Sequence, residues 1–214
     1  FLNYLYYSKH LHIILAFPNT YFSNLKPKGQ FTNMSSVTKE VRMMLDPSID
    51  PFTQPSNDTT VNIFGAKDAT DLTWVQLLNA YSCTECGRCT SECPANVTGK
   101  KLSPRKIMMD VRDRITQIGE GVDKYGSDFN DKKSLLGDFI TPEELWACTS
   151  CNACVEACPL NIDPLSIIID LRRYLVMEKS EAPAELNSVF TNIENNGAPW
   201  QFPGSDRLKW KDDE

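Results

Sequence analysis

The sequence predicts a mainly α-helical fold, and three observations carry that expectation. All eight cysteines of the 214 residues fall in two near-copies of one phrase, SCTECGRCTSECP at 82–94 and ACTSCNACVEACP at 147–159. The segments around both copies carry apolar residues at helical spacing. Three of them also open on a capping residue followed by proline: Ser103-Pro104, Thr141-Pro142 and Asp163-Pro164.

Taken in order, DLTWVQLLNAY at 71–81 places Leu72, Val75, Leu78 and Leu77 toward one face and delivers the chain to Cys83. LSPRKIMMDVRDRITQIG carries a stripe of Ile107, Val111, Ile115 and Ile118, and Gly119 is expected to end it. GEGVDKYGSDFNDKKSLLGDF reads as an exposed excursion rich in Gly, Asp and Lys. TPEELWAC starts a second half, with Glu144 at the reciprocal capping-box position. DPLSIIIDLRRYLVMEK then carries Leu165, Ile168, Ile169, Leu175 and Val176. Each half is therefore helix, cysteine loop, proline, helix. The expected jobs of Trp74, Trp146, Met108 and Met109 are packing; Arg88 and Lys106 either place charge near a metal site or face solvent.

Cys83, Cys86, Cys89 and Cys93 precede Pro94, and Cys148, Cys151, Cys154 and Cys158 precede Pro159. Disulfides among cysteines this closely spaced would be strained. Structural zinc sites use two separated pairs of ligands. Three cysteines at successive spacings of three wrap the chain around one small object, and a fourth reaches the neighbouring object; this is the two-cluster ferredoxin arrangement. The fold class expected is thus an alpha-helical ferredoxin-like dicluster domain with long irregular N- and C-terminal extensions, holding two [4Fe–4S] clusters. The arrangement predicts crossed ligation: Cys83, Cys86, Cys89 and Cys158 for one cluster, Cys148, Cys151, Cys154 and Cys93 for the other. Gly87 gives the first loop room near the metal site, where Asn152 and Ala153 occupy the equivalent stretch of the second.

The flanks differ. A formal net charge of -6 argues against a general nucleic-acid surface. No signal peptide and no run of membrane-spanning length is evident. The opening FLNYLYYSKHLHIILAFPNTYF lacks a methionine, which suggests a piece of a longer chain, and it suits a membrane–water boundary as well as a buried helix or strand. Residues 23–70 read as a polar, proline-dotted strap anchored by Phe52, Val61, Ile63 and Phe64, with one short helix at most around Arg42–Leu45. The turn-rich end offers Trp200, Phe202 and Trp210 for docking.

Four phrases, YYSKHLHIILAFPNTYF, DLTWVQLLNAYSCTECGRCTSECPAN, GKKLSPRKIMMDVRD and ENNGAPWQFPGSDRLKW, together resemble the central stretch of membrane-associated heterodisulfide-reductase-like iron–sulfur oxidoreductases. In that family a haem b domain, similar to the nitrate reductase gamma subunit, precedes a dicluster domain, and CCG domains follow or come as a separate protein. The resemblance implies four parts: 1–22, the end of a membrane-associated histidine-bearing segment; 23–70, an extended linker; 71–180, the dicluster domain; and 181–214, an irregular extension. His12 corresponds to a haem b axial ligand and His10 to a neighbour that holds a propionate, a quinone or nothing. One histidine helix cannot enclose a haem, so haem b is expected only in the intact parent or complex.

The implied function is electron transfer between a membrane haem b/quinone domain and a soluble redox protein or CCG-domain partner. The clusters would lie on the cytoplasmic side of the membrane, and no substrate-transforming site is expected in this chain. The alternative is the iron–sulfur subunit of a soluble or peripheral dehydrogenase of the succinate, glycerol-3-phosphate or glycolate type. A structural zinc or adaptor module is the third reading.

Overall fold

Capping chemistry sets where the helices begin. The computed structural model describes residues 2–8, 10–27, 29–46 and 63–211. Its helices are α1 Leu2–Tyr7, α2 Leu11–Tyr21, α3 Ser35–Leu45, α4 Trp74–Ser82, α5 Arg88–Ser91, α6 Pro94–Val97, α7 Pro104–Tyr125, α8 Pro142–Trp146, α9 Ala153–Glu156, α10 Pro164–Arg173 and α11 Ala184–Asn196. Thr73 and Thr141 close capping boxes with Gln76 and Glu144. The Ser103 and Asp163 side chains accept from the amides of Lys106 and Ser166. Proline opens α7, α8 and α10, where its missing N–H costs nothing. Among the described residues there is no strand, only an isolated bridge between Leu136 and Ile140. The fold is mainly α-helical, of the alpha-helical ferredoxin-like dicluster kind.

Two compact units divide the chain, Phe1–Tyr174 and Leu175–Glu214. The core of the first lies where α7 and α10 meet, with α8 against α10. Ile107, Met108 and Val111 from α7, Ile167, Ile168 and Leu171 from α10, and Leu102, Leu135, Ile140 and Leu145 between them are fully buried. Each such side chain contributes about 1.5–3 kcal/mol. The halves are cross-braced: Gln76 Nε2 on α4 donates to Asp170 Oδ2 on α10 at 2.8 Å. In the second unit α11 ends at Gly197, and the Arg207 guanidinium donates to the carbonyl of that glycine at 2.9 Å. Trp200, Phe202 and Trp210 are exposed rather than docked.

Several expectations change. Helix α7 does not stop at Gly119 but runs to Tyr125. An interior glycine costs a helix only about 1 kcal/mol, and Gly121 is needed where it stands, since a Cβ there would lie 2.1 Å from the Phe129 ring. The excursion is not exposed throughout, because Leu135 and Leu136 return to the core. The helix expected at Arg42–Leu45 begins earlier, at Ser35. The strap anchors Phe52 and Val61 lie outside the described residues; Ile63 is half exposed. The end of that stretch is laid onto the core through Ala66 N–H to Asp170 O, 3.0 Å, and Leu136 N–H to Lys67 O, 3.1 Å.

The membrane-associated histidine segment expected at 1–22 requires correction. Among the described residues no helix is long and apolar enough to cross a membrane. The stretch breaks into α1 and α2, of 6 and 11 residues. Eleven residues rise about 16 Å, against a hydrocarbon layer of about 30 Å. Helix α2 packs instead against α4 of its own unit. Its Asn19 Nδ2 donates to Leu160 O at 2.9 Å, the Ser82 hydroxyl donates to Leu15 O at 3.4 Å, and Phe22 meets the Trp74 ring edge-on.

One ion-pair network ties the strap, the excursion and α7 together. Arg114, almost wholly buried, donates to both carboxylate oxygens of Asp68, to both of Asp131 and to Lys133 O. Asp68 Oδ1 also accepts from Leu135 N–H at 3.0 Å. Removing the guanidinium leaves two carboxylates facing each other, so Arg114→Met is expected to cost about 3 kcal/mol. Chemical denaturation of the metal-loaded protein measures this; a loss below about 0.5 kcal/mol would mean the network behaves as an exposed surface pair.

Candidate metal centre

The two cysteine loops have the same local build. Cys83 and Cys148 lie just past α4 and α8. Two residues on, Glu85 and Ser150 take left-handed φ of 57° and 56°. That turns their amides back on the sulfur: Ser150 N–H meets Cys148 Sγ at 3.4 Å, and the Glu85 amide does the same for Cys83. Gly87 and Asn152 repeat the left-handed turn, at φ 82° and 61°, and open the short helices α5 and α9. Glycine meets no steric penalty there, and asparagine is the side chain that tolerates it best. The difference between Gly87 and Asn152 therefore leaves the backbone path unchanged.

These turns bring thiols from both halves together. Cys83, Cys86, Cys89 and Cys158 line one cavity, walled by Met108, Leu160, Ile162 and Pro164. The same four interact electrostatically, Cys83 with Cys158 and Cys86, and Cys89 with all three. On the other side Cys148 interacts with Cys93 and Cys151, and Cys154 with Cys148 and Cys93. The two groups touch: Cys154 also lines the first cavity, and Cys89 packs against Cys154 and Val155. Helices α5 and α9 carry that contact. Cys86 and Cys151 are exposed, whereas Cys93 and Cys154 are buried.

The donor set suits a polynuclear thiolate-held cluster. All eight cysteines are free thiols. Among the described residues no group of three or more His, Cys, Asp or Glu side chains is drawn tightly enough to hold a single metal ion. The five sulfurs that line this cavity, Cys154 included, are soft donors of the kind that hold iron–sulfur cores.

The other candidates are placed differently. Lys106 is paired with Asp110 at 2.8 Å and Glu144 at 2.9 Å, so its charge is spent on bracing α7 to α8. Arg88 stays at the exposed rim of the first cavity. Trp74 is more than half exposed, and Trp146 lies under a guanidinium rather than over a cysteine loop. His10 is exposed, with its ring 6.4 Å from that of Tyr4, and His12 is half-buried on the first turn of α2. Both therefore ride on a short helix packed on α4, and the haem b assignment is dropped. The sequence reading missed Glu85, which stands inside the first loop, and Arg112 and Arg172, which reach the loops from helices distant in the chain.

Burial pushes the Cys83, Cys89 and Cys148 thiols up, and pushes Cys154 up to about 12. Without metal these groups keep their protons at neutral pH, and each must lose its proton to become a ligand. A raised pKa means that proton loss becomes easier only as pH climbs toward that value, so metal competes better at higher pH. Anaerobic reconstitution of the reduced apoprotein with iron and sulfide is expected to reach higher cluster occupancy at pH 9 than at pH 7. Equal occupancy at both would show that the thiols are not held protonated.

Comparison with known proteins adds to this geometry. Residues 82–162 match the 4Fe-4S dicluster domain. The probable iron-sulfur-binding oxidoreductase FadF of Bacillus subtilis is 32% identical over 100% of this chain, which covers 32% of that protein. An EtfAB:quinone oxidoreductase of Syntrophomonas wolfei is 33% identical over 70% of the chain and 24% of its own length. A probable membrane-anchored ferredoxin of Chromohalobacter salexigens is 34% identical over 70% and 24% respectively. The chain thus spans about a quarter to a third of these relatives. The expected haem b-linked membrane family is corrected accordingly: the family match is the 4Fe-4S dicluster domain over residues 82–162, and the described helices include no membrane span. The domain has the make-up of an iron–sulfur electron-transfer module of oxidoreductases.

Proposed function

We propose that this chain is the iron–sulfur segment of a dehydrogenase-linked oxidoreductase and passes electrons through two [4Fe–4S] clusters. Cys83, Cys86, Cys89 and Cys158 would hold one, and Cys148, Cys151, Cys154 and Cys93 the other. The observation that carries this reading is a cavity that Cys83, Cys86 and Cys89 of the first phrase line together with Cys154 and Cys158 of the second. Each cluster, when bound, takes up and releases one electron.

The chain's own residues supply the rest. The contact of Cys89 with Cys154 keeps the two sites within short reach of each other. Buried Cys93 and Cys154 shield the inner edges from water, and exposed Cys86 and Cys151 leave one outer edge of each site open to a partner. Those two edges suit entry and exit of electrons. One relative is named an EtfAB:quinone oxidoreductase, and on that ground we assign this chain a soluble redox protein on one side and a quinone-linked acceptor on the other. Thiolate ligands persist in a reducing compartment, which favours the cytoplasmic side.

Anaerobically purified protein should contain about eight irons and eight acid-labile sulfides per chain, and should bleach in the visible on reduction by dithionite. Two zincs with no sulfide and no visible band would overturn the reading.

A further inference from the structure

The two loops are alike in backbone but differ in how the arginine beside each is paired. Beside the first, Arg112 of α7 donates to Glu85 Oε1 at 2.7 Å. That ion pair lies next to Cys83, the sulfur that the Glu85 amide also touches. Beside the second, Arg172 of α10 occupies the matching place. Its Nε and Nη2 donate to Leu145 O at 3.1 and 2.5 Å, Nη2 to Cys148 O at 2.6 Å, and Nη1 to the Ser150 hydroxyl at 3.4 Å. The guanidinium is stacked over the Trp146 ring, 4.9 Å from its centroid. Ser150 stands where the first loop has Glu85, two residues past its first cysteine and with the same left-handed φ. Among the described residues no carboxylate pairs with Arg172.

A half-buried guanidinium held only by carbonyls and a hydroxyl is costly unless a negative charge faces it. Arg112 has its carboxylate in Glu85 at 2.7 Å, whereas Arg172 is held by the Leu145 and Cys148 carbonyls and the Ser150 hydroxyl.

Other charges near the loops are differently placed. Asp163, the carboxylate that acts on Cys154, is engaged by the Ser166 amide at the start of α10. Arg88 and Arg105 sit at the exposed rim of the first cavity, where water screens them.

We propose that Arg172 is the residue that raises the reduction potential of the second site, and that Glu85 cancels the equivalent effect of Arg112 at the first. An electron added to a thiolate-held cluster makes it more negative, and a cation held against the Cys148 loop without a carboxylate partner would stabilise that state. With clusters bound, the electron would rest preferentially at the Cys148–Cys151–Cys154–Cys93 site, which would give the pair a direction. This inference rests on the cluster reading above, and iron and sulfide analysis of every variant separates failure of that reading from failure of this one.

The test exchanges the charges. Ser150→Glu transplants the first loop's carboxylate beside Arg172; its left-handed φ is one that glutamate already adopts at position 85, and the carbonyl bonds of Arg172 stay in place. Glu85→Ser does the reverse. Potentiometric titration with dithionite, followed by paramagnetic resonance, reads the midpoint of each cluster. At a fixed potential near the midpoint, Ser150→Glu should lower the reduced-to-oxidised ratio of the second cluster about tenfold, equivalent to ~59 mV for one electron, and Glu85→Ser should raise that of the first. Arg172→Lys, which keeps the charge, should shift the second midpoint less than Arg172→Gln. The proposal is overturned if clusters form in full and Ser150→Glu leaves the ratio within twofold, or if the Lys and Gln variants shift it equally.

Discussion

Thiols from both cysteine phrases must meet, and that requirement organises everything around them. Cys158 lines a cavity with Cys83, Cys86 and Cys89, although residues 95–157 separate it from the first phrase. Two loops built for local turns have to be pressed face to face through α5 and α9. The surrounding helices do the pressing. Gln76 joins α4 to α10, Arg172 joins α10 to the end of α8, and Lys106 joins α7 to α8. Each brace links an element before or after one phrase to an element of the other half or of the same loop.

The apposition has a cost that metal would offset. Four of the eight thiols are pushed toward the protonated state by burial, and buried polar groups crowded together gain little from one another unless something binds them. Metal binding and folding are then coupled, as in other small metal-held domains. The hydrophobic seam between α7 and α10 sits directly behind the loops, with Met108 shared between the core and the wall of the first cavity.

What the sequence disclosed follows the range of each interaction. The cysteine phrases and the caps at Ser103, Thr141 and Asp163 act over a few residues, and all three caps hold their helices as read. Gly119 misled because its effect on a helix is small, whereas the Phe129 ring that requires Gly121 comes from the far side of a turn. The N-terminal stretch misled for a related reason. Its apolar and aromatic composition suits a membrane boundary or a packed helix alike, whereas the packing of Asn19, Leu15 and Phe22 on the cysteine-loop unit depends on residues far along the chain. The contrast between Glu85 and Ser150 was visible as two letters, but its meaning depends on arginines more than twenty residues away in the chain.

Iron counting in combined variants tests the central claim, that each site draws ligands from both phrases. Cys86→Ala with Cys89→Ala should abolish the first cluster and leave about half the iron. Adding Cys158→Ala to that background should then remove no more, since Cys158 serves the site already lost, while adding Cys93→Ala should deplete the remaining cluster. The reverse pattern, with Cys158→Ala stripping the remaining iron and Cys93→Ala harmless, would mean that each phrase holds its own metal and that the crossed account is wrong.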